Sequence, residues 1–558
     1  MNLKSGFTCV AMIVFAVSTK SFSQWNSNSA LNTSVCVQPY DQQDVHIVTD
    51  GNNGAIMMWL DFRNDATQNA GDIFAQRINK NGFNLWTISG VAICSDAADQ
   101  AAPDMIESEN SGAIIAWTDL RNGNRDIYAQ KVDSSGIVQW TVSGEAVAMK
   151  PATQQNVQVI SDGTGGAIIV WEDSVNGAFD IYAQRMSSAG TAIWASGGVA
   201  VCNMVLGQIN PKIIPDGAGG AVVVWQDFRN GNDYNIYTQK INSAGVVQWT
   251  ANGVAMATVA GTQSNPKLRG DGSGGAIIVW QDKRFGINFD VYAQCVNSSG
   301  AVQWTANGVI ICNAGDNQSA LDMTSEGISG AIITWKDNRN LNHDIYAQMI
   351  NLSGTVQWTA NGIVIATGTA EQINPNAIGD GNGGAIIVWQ DSSAGNWDVK
   401  SQRVSSGGTI MWTAGGEAVG TAAASQTDPK NVSDGLGGSI YTWNDKRSTN
   451  DFDIYANHLF SDGMPVGIHK ENYSYGVNVY PNPFVNKAII STKLFESTAD
   501  FKIRIVDAFG KEANPKITRN GASFEIFRNN LPAGIYFYEI ISGNGTSIFS
   551  KGKFVIAD

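Results

Sequence analysis

Acids and cations recur at fixed spacing down this chain. An aspartate stands two residues after a tryptophan at Asp61, Asp119, Asp173, Asp227, Asp282, Asp337, Asp391 and Asp445. An arginine follows two residues later at Arg63, Arg121, Arg229, Arg284, Arg339 and Arg447. A second acid comes next at Asp72, Asp126, Asp180, Asp290, Asp344, Asp398 and Asp453, with Asn235 in its place once. Carboxylates on either side of a guanidinium accept its N–H groups and those of the nearby backbone, which braces a hairpin. The same oxygens suit calcium, the one cofactor the sequence offers, although the spacing is not that of a known calcium loop. Paired acids also hydrolyse glycosidic bonds. An acid repeated in every copy, however, builds the copy and singles out no catalytic pair.

The residue just before the second acid varies, and five of its eight occupants are aromatic: Phe179, Tyr234, Phe289, Trp397 and Phe452. Rings at a loop rim can stack on sugar faces or grip a peptide. These five are the candidate ligand-binding residues, foremost Trp397, the one tryptophan outside the repeat pattern. Of the four histidines, His46, His343, His458 and His469, none lies in an HExxH pattern, and no GxSxG elbow occurs. No catalytic residue is nominated, so binding is favoured over catalysis.

The elements that must hold these residues form one repeated segment. It reads GGAIIVWQD, a polar loop, DIYAQ, then VQWTANG. Its first tryptophan falls at Trp59, Trp117, Trp171, Trp225, Trp280, Trp335, Trp389 and Trp443. A period of 54 to 58 residues built of strand-like runs and glycine turns points to a propeller, solenoid or array. The second tryptophan occurs only seven times, from Trp86 to Trp412, and the last copy lacks it. Gln24-Trp25 matches the missing piece. An open array leaves unpaired strand edges, which a ring sharing one sheet between its two ends removes. The pattern therefore predicts an all-β fold: an eight-bladed β-propeller over residues 24–462, closed by an N-terminal strand.

Within residues 156–198 the reading gives NVQVISDG, GGAIIVWED and DIYAQRMS as three strands, with TAIWASGG beginning the outermost one. Strand alternation places Ile168 and Val170 on one face and Ala167, Ile169 and Trp171 on the other. Cys36, Cys94, Cys202 and Cys312 occupy one slot of the outer strand, with Met149, Met256 and Ile365 expected there in other copies. Equivalent slots in separate blades are too far apart to bridge, so free, buried thiols are expected. In such a fold the loops joining strands two and three share a face with the connections between blades.

The net charge of −14 argues against a nucleic-acid partner, which needs a basic face. Residues 1–23 read as a secretory signal peptide: Lys4, an apolar run from Phe7 to Val17 too short to span a bilayer, and small residues before Gln24. No other run would span a membrane in the mature chain.

The repeat stops near residue 460. A linker at 463–475 precedes alternating strands at 476–558, enough for a small Ig-like β-sandwich. This segment carries Tyr480-Pro481-Asn482-Pro483-Phe484, Val506-Asp-Ala-Phe-Gly510, Leu531-Pro-Ala-Gly534-Ile-Tyr536 and Lys551-Gly-Lys553-Phe-Val555. It resembles the type A C-terminal sorting domain of the type IX secretion system. The resemblance implies recognition by an outer-membrane translocon, removal of the domain, and release or surface attachment of the rest. It leaves three readings of the propeller: a secreted or surface binding and adhesion module for a glycan or protein, a polysaccharide-degrading hydrolase or lyase, or a structural surface protein. The first is favoured.

Overall fold

The computed structural model describes residues 25–65, 67–324, 330–448, 451–465, 478–491, 501–507, 511–520, 523–542 and 548–558. The expected signal peptide and residues 466–475 of the expected linker lie outside them. The chain divides into two compact units, Met1–Gly467 and Ile468–Asp558. Apart from one 3-10 turn, Glu109–Ser111, every regular element among the described residues is a strand.

The first unit holds eight antiparallel four-stranded sheets. In sheet 3, for example, Gln154–Ser161 is innermost, followed by Ala167–Asp173, Asp180–Met186 and Val199–Cys202. Seven sheets draw all four strands from one stretch of chain. Sheet 8 takes Gln426–Ser433, Ser439–Asp445 and Asp453–Leu459 from the last repeat, and its outer strand is Thr33–Cys36. Thr33 pairs with Ala456 and Ser34 with Tyr455. Each inner strand packs on the next, and Gln42–Thr49 of sheet 1 packs on Gln426–Ser433 of sheet 8.

Alternation along the second strand decides how the sheets pack. Ala167, Ile169 and Trp171 meet Ile114, Ala116 and Ile127 of sheet 2. Ile168 and Val170 meet Ile213, Val223 and Trp225 of sheet 4. Both faces of the strand are covered, which is why it is apolar almost throughout. All eight first tryptophans are fully buried between sheets.

The second tryptophans fasten each sheet to the next. Trp86 Nε1 donates to Ser134 O at 2.9 Å and Trp140 Nε1 to Ser188 O at 3.1 Å. Trp25 makes the same bond to Lys80 O at 2.9 Å, so the N-terminal residues supply the tryptophan the last repeat lacks. Each indole also lies flat against a turn glycine. At Gly136 (φ +82°) a Cβ would sit 2.8 Å from Trp86 Cγ, so no side chain fits.

Two expectations need correction. The outer strand of sheet 3 is Val199–Cys202, and Trp194 precedes it in a turn, where its N–H is held by Gln184 Oε1 at 2.9 Å. The slot equivalent to the cysteines is filled elsewhere by Ala148, Ala257, Ala366 and Gly420, which pair with Ile127, Ile236, Ile345 and Val399. Met149, Met256 and Ile365 are one residue out of register. A one-residue slip moves a strand residue to the other face or off the strand, and Met149 is indeed exposed.

The second unit packs two four-stranded sheets face to face. One contains Lys487–Ser491 and Ser523–Phe527; the other contains Phe501–Asp507, Gly534–Ser542 and Ile548–Ile556. Phe484, Ile490, Ile526, Tyr536, Tyr538, Ile540 and Phe554 form the core between them.

Candidate functional site

The repeated acids divide into two kinds. The first acid of each unit anchors a cation. Asp119 Oδ1 accepts the backbone N–H of Arg121 at 2.9 Å and its Nε at 2.8 Å, while Oδ2 accepts Arg121 Nη2 at 2.5 Å and Trp117 Nε1 at 2.8 Å. The guanidinium lies 4.0 Å over the Tyr128 ring and also reaches Ser143 O and Cys94 Sγ. The buried carboxylate thus has a bidentate, stacked counterion. The cysteines are buried and unbridged. Burial pushes the Cys94 thiol up to about 11 and the Cys202 and Cys312 thiols up to about 12, which keeps them protonated and unreactive.

Two units have no arginine, and each imports a lysine. In unit 3, where Val175 stands, Lys150 Nζ comes from the outer side of sheet 2 to within 2.8 Å of Asp173 Oδ2 and sits 3.9 Å over the Tyr182 ring. In unit 7, where Ser393 stands, Lys400 Nζ lies 3.1 Å from Asp391 Oδ1. The sequence reading missed both lysines. The gaps at Val175 and Ser393 were the signal, because a buried carboxylate demands a partner.

The second acid does not pair with the arginine, contrary to expectation. It caps the loop through amides: Asn64, Asn122, Asn176 and Asn340 donate to Asp72, Asp126, Asp180 and Asp344 at 2.7 to 2.8 Å. Burial, with the neighbouring first acid, pushes this carboxyl up even beside the asparagine, as at Asp72 and Asp180, and furthest where the asparagine is missing. Asp290, Asp398 and Asp453 reach about 6. As for calcium, no three His, Cys, Asp or Glu side chains gather in metal-binding geometry among the described residues.

The variable residue before the second acid has a constant backbone role. Its carbonyl accepts the N–H of the first glutamine of the next sheet: Phe179 O from Gln208 at 2.7 Å, Tyr234 O from Gln263 at 2.8 Å, and Phe289 O from Gln318 at 2.8 Å. Trp397 O accepts from Gln426 at 2.6 Å, and Phe452 O from Gln42 at 2.7 Å. The loops between strands two and three therefore meet the connections between sheets, and their side chains are free to differ.

All five rings are half-buried. Lys283 Nζ covers Phe289 at 4.4 Å and Lys446 Nζ covers Phe452 at 4.3 Å. Tyr234 leans on Phe228, with ring centroids 5.0 Å apart. Phe179 and Tyr234 open into a cavity of about 600 Å³, whose other walls include Asp44, His46, Asn156, Gln158, Glu172, Asn210 and Lys212. Phe289, Trp397 and Phe452 line neither this cavity nor the one beside it.

The polar walls come from a bulge in every inner strand. At its apex stands a left-handed residue: Asp44, Ala102, Asn156, Asn210, Asn265, Ala320, Asn374 or Asp428, with φ between 44° and 54°. Asn and Asp tolerate this region best, which explains six of the eight. Acceptors on the second strand brace the bulges across sheets. Glu172 Oε1 accepts Asn156 Nδ2 at 2.7 Å and the Asn210 N–H at 2.6 Å; Gln226 Oε1 does the same for Asn210 Nδ2 and the Asn265 N–H, at 2.8 and 2.9 Å. A second cavity of about 470 Å³ continues along the bulges of sheets 4 to 8 and shares Asn210 and Lys212 with the first. No motif announced these residues; only the recurring Asn-Pro pairs marked the place.

In the second unit the sorting-motif residues clamp the last strand. Asn482 Oδ1 accepts the Val555 N–H at 2.8 Å, Phe484 N donates to Val555 O at 3.0 Å, and Ala557 N donates to Phe484 O at 2.8 Å. Pro481 and Pro483 both follow cis peptide bonds. Tyr480 is exposed and Lys553 projects from the final strand, paired with Phe537. Leu531 packs against the core, and Gly534 opens the strand that carries Tyr536. Tyr536 is buried and donates its hydroxyl to Pro532 O at 3.0 Å. Residues 508–510 of the second motif lie outside the described residues.

Among curated proteins none matches this chain. Several solved structures share a distant likeness. A protein of unknown function from Dyadobacter fermentans is 12% identical, with a TM-score of 0.35, over 57% of this chain and 94% of that one. A puromycin-hydrolyzing peptidase from Mycobacterium tuberculosis is 10% identical, with a TM-score of 0.38, over 76% of this chain and 61% of that one. An alpha-L-arabinanase from Penicillium chrysogenum, complexed with arabinobiose, is 9% identical, with a TM-score of 0.32, over 65% of this chain and 94% of that one. Residues 478–557 match the family described as the secretion system C-terminal sorting domain. The second unit is therefore a type IX sorting domain, and the protein that carries it is exported to the cell surface or the medium.

Proposed function

We propose that the mature chain is a secreted glycan-binding propeller: eight blades at 24–462 closed by the N-terminal strand, a linker at 463–475 and the sorting domain at 476–558. The pairing of Thr33–Cys36 with Asp453–Leu459 and the packing of the first inner strand on the last support closure. The observation that carries the binding reading is that the rings of Phe179 and Tyr234 open on the same cavity as Asn156, Gln158, Glu172 and Asn210. Aromatic faces beside fixed amides and a carboxylate suit a sugar, which offers both C–H and O–H groups. The cavity volume lies within the range of roughly 300–1,000 Å³ usual for small-ligand sites. The latches at Gln208 and Gln263 and the brace at Glu172 hold these walls before any ligand arrives, which lowers the ordering cost of binding.

The test is a glycan-array screen of the full chain beside its Phe179→Ala/Tyr234→Ala variant. Binding that falls on the order of tenfold in the variant, with unchanged thermal unfolding, supports this reading. Equal binding by both forms overturns it. Chromatography of the incubated glycans checks the hydrolase or lyase alternative, which requires shortened products.

A further inference from the structure

We propose that the glycan is acidic, and that the carboxylate of a uronate residue docks at the Lys212 ammonium where the two cavities meet. This rests on the glycan-binding reading above and names its substrate class.

Lys212 is a cation without a counterion. Its Nζ donates to Gln158 Oε1 at 3.2 Å, and among the described residues no carboxylate oxygen lies within 4.0 Å of it. Three other enclosed lysines of the eight-sheet unit are paired, Lys150 with Asp173 at 2.8 Å, Lys240 with Asp216 at 3.4 Å and Lys400 with Asp391 at 3.1 Å, whereas Lys131 donates to the Gly165 carbonyl at 2.8 Å. Its nearest acids are occupied. Asp104 Oδ2 accepts the Val159 N–H at 2.9 Å. Glu172 accepts Asn156 Nδ2, Gln155 Nε2 and the Asn210 N–H. Lys267 faces Lys212 from sheet 5 and lies 3.8 Å from Asp322 Oδ1. Enclosure, then the charge of Lys267, lowers the Lys212 ammonium to about 8, against the pull of Asp104 and Glu172. An arriving anion would reverse that trend.

The position of Lys212 decides between ligands. It lines both cavities, so an extended chain running from one to the other passes over it. Phe179 and Tyr234 flank one end of that path and Asn265 and Asn374 lie along the other. One unpaired ammonium among committed acids suits a monoanion. Rings on one side and side-chain amides on both suit sugars more than an acidic peptide.

The experiment is isothermal titration of the full chain with polygalacturonate and polymannuronate oligomers. Fully methyl-esterified polygalacturonate serves as the neutral control, and a poly-glutamate peptide as the acidic-protein control. Affinity for at least one polyuronate should exceed that for the ester on the order of tenfold. Lys212→Met should abolish the difference and Lys212→Arg should retain most of it. Thermal unfolding of each variant identifies any that fails to fold, and Lys212→Gln, which keeps a long polar side chain without the charge, then serves as the second variant and should also lose the preference for the acid. Equal affinity for acid and ester, both weakened by Phe179→Ala, overturns the uronate proposal and leaves the glycan reading standing. Binding of poly-glutamate alone overturns both, and binding of none of the probes overturns the uronate proposal, leaving the glycan reading to the array screen.

Discussion

Lys400 stands where the other seven units carry an aromatic ring, and its ammonium lies 3.1 Å from Asp391 Oδ1. The same unit has Ser393 in place of the arginine that would have stacked on that ring. The two substitutions are one compensated exchange: ring and arginine leave together, and a lysine keeps the carboxylate paired. Asp391 also accepts the Ser393 backbone N–H and hydroxyl, and Trp389 Nε1 finds no partner among the described residues.

The exchange predicts coupling. Lys400→Tyr alone strips Asp391 of its cation and should cost about 3 kcal/mol. Adding Ser393→Arg should recover most of that loss. Urea unfolding of the four-member cycle measures it, and additive costs would show that the two sites act independently.

Arg121→Ala should destabilise the propeller by about 3–5 kcal/mol, because it leaves the Asp119 charge buried and alone. Arg121→Lys should cost less, since unit 3 already uses a lysine, but not nothing, because the bidentate bond and the flat stack are lost. The denaturant midpoints of the two variants should fall in that order.

Asp290 is pushed up to about 6 by burial and by Asp282. Its folded pKa lies above the unfolded one, so the associated stability is complete below about pH 4 and is lost as pH rises through 6. Asp290→Asn copies Asn235 of unit 4 and removes that dependence. Its Tm should exceed that of the parent at pH 7, and the difference should vanish near pH 4. A constant offset across this range would mean that Asp290 titrates normally.

Trp25→Ala removes a buried indole and its bond to Lys80 O, and should cost about 3–5 kcal/mol. The loss should show first in hydrogen exchange, as faster exchange of the Asp453–Leu459 amides, which depend on the N-terminal strand. Unchanged protection there would show that this edge of sheet 8 stands without its outer strand.

Much of the scaffold was readable because Trp, Asp and Gly recur at one spacing, and a repeated residue reports its unit. Strand faces followed from alternation, and the tryptophan missing from the last copy pointed to Trp25. Register failed at the cysteine slot because four-residue outer strands give too short a pattern to fix parity. The cavity walls were hidden for a different reason. Asn210 and Lys212 lie two residues apart on one strand, but Glu172 reaches them only through the packing of sheet 3 on sheet 4, and no linear spacing links it to them. Phe179 and Tyr234 were among the ring candidates, but the repeat pattern set Trp397 apart instead, and Trp397 lines neither cavity.

The pairing of Thr33 with Ala456 has a temporal consequence. The Thr33–Cys36 strand finds its place only after more than four hundred later residues have been made. Until then it remains an unsatisfied edge, and such edges aggregate when long-range partners are slow to arrive. Completion of sheet 8 therefore waits on synthesis of the whole repeat array: the chain cannot finish that sheet until its own far end is within reach.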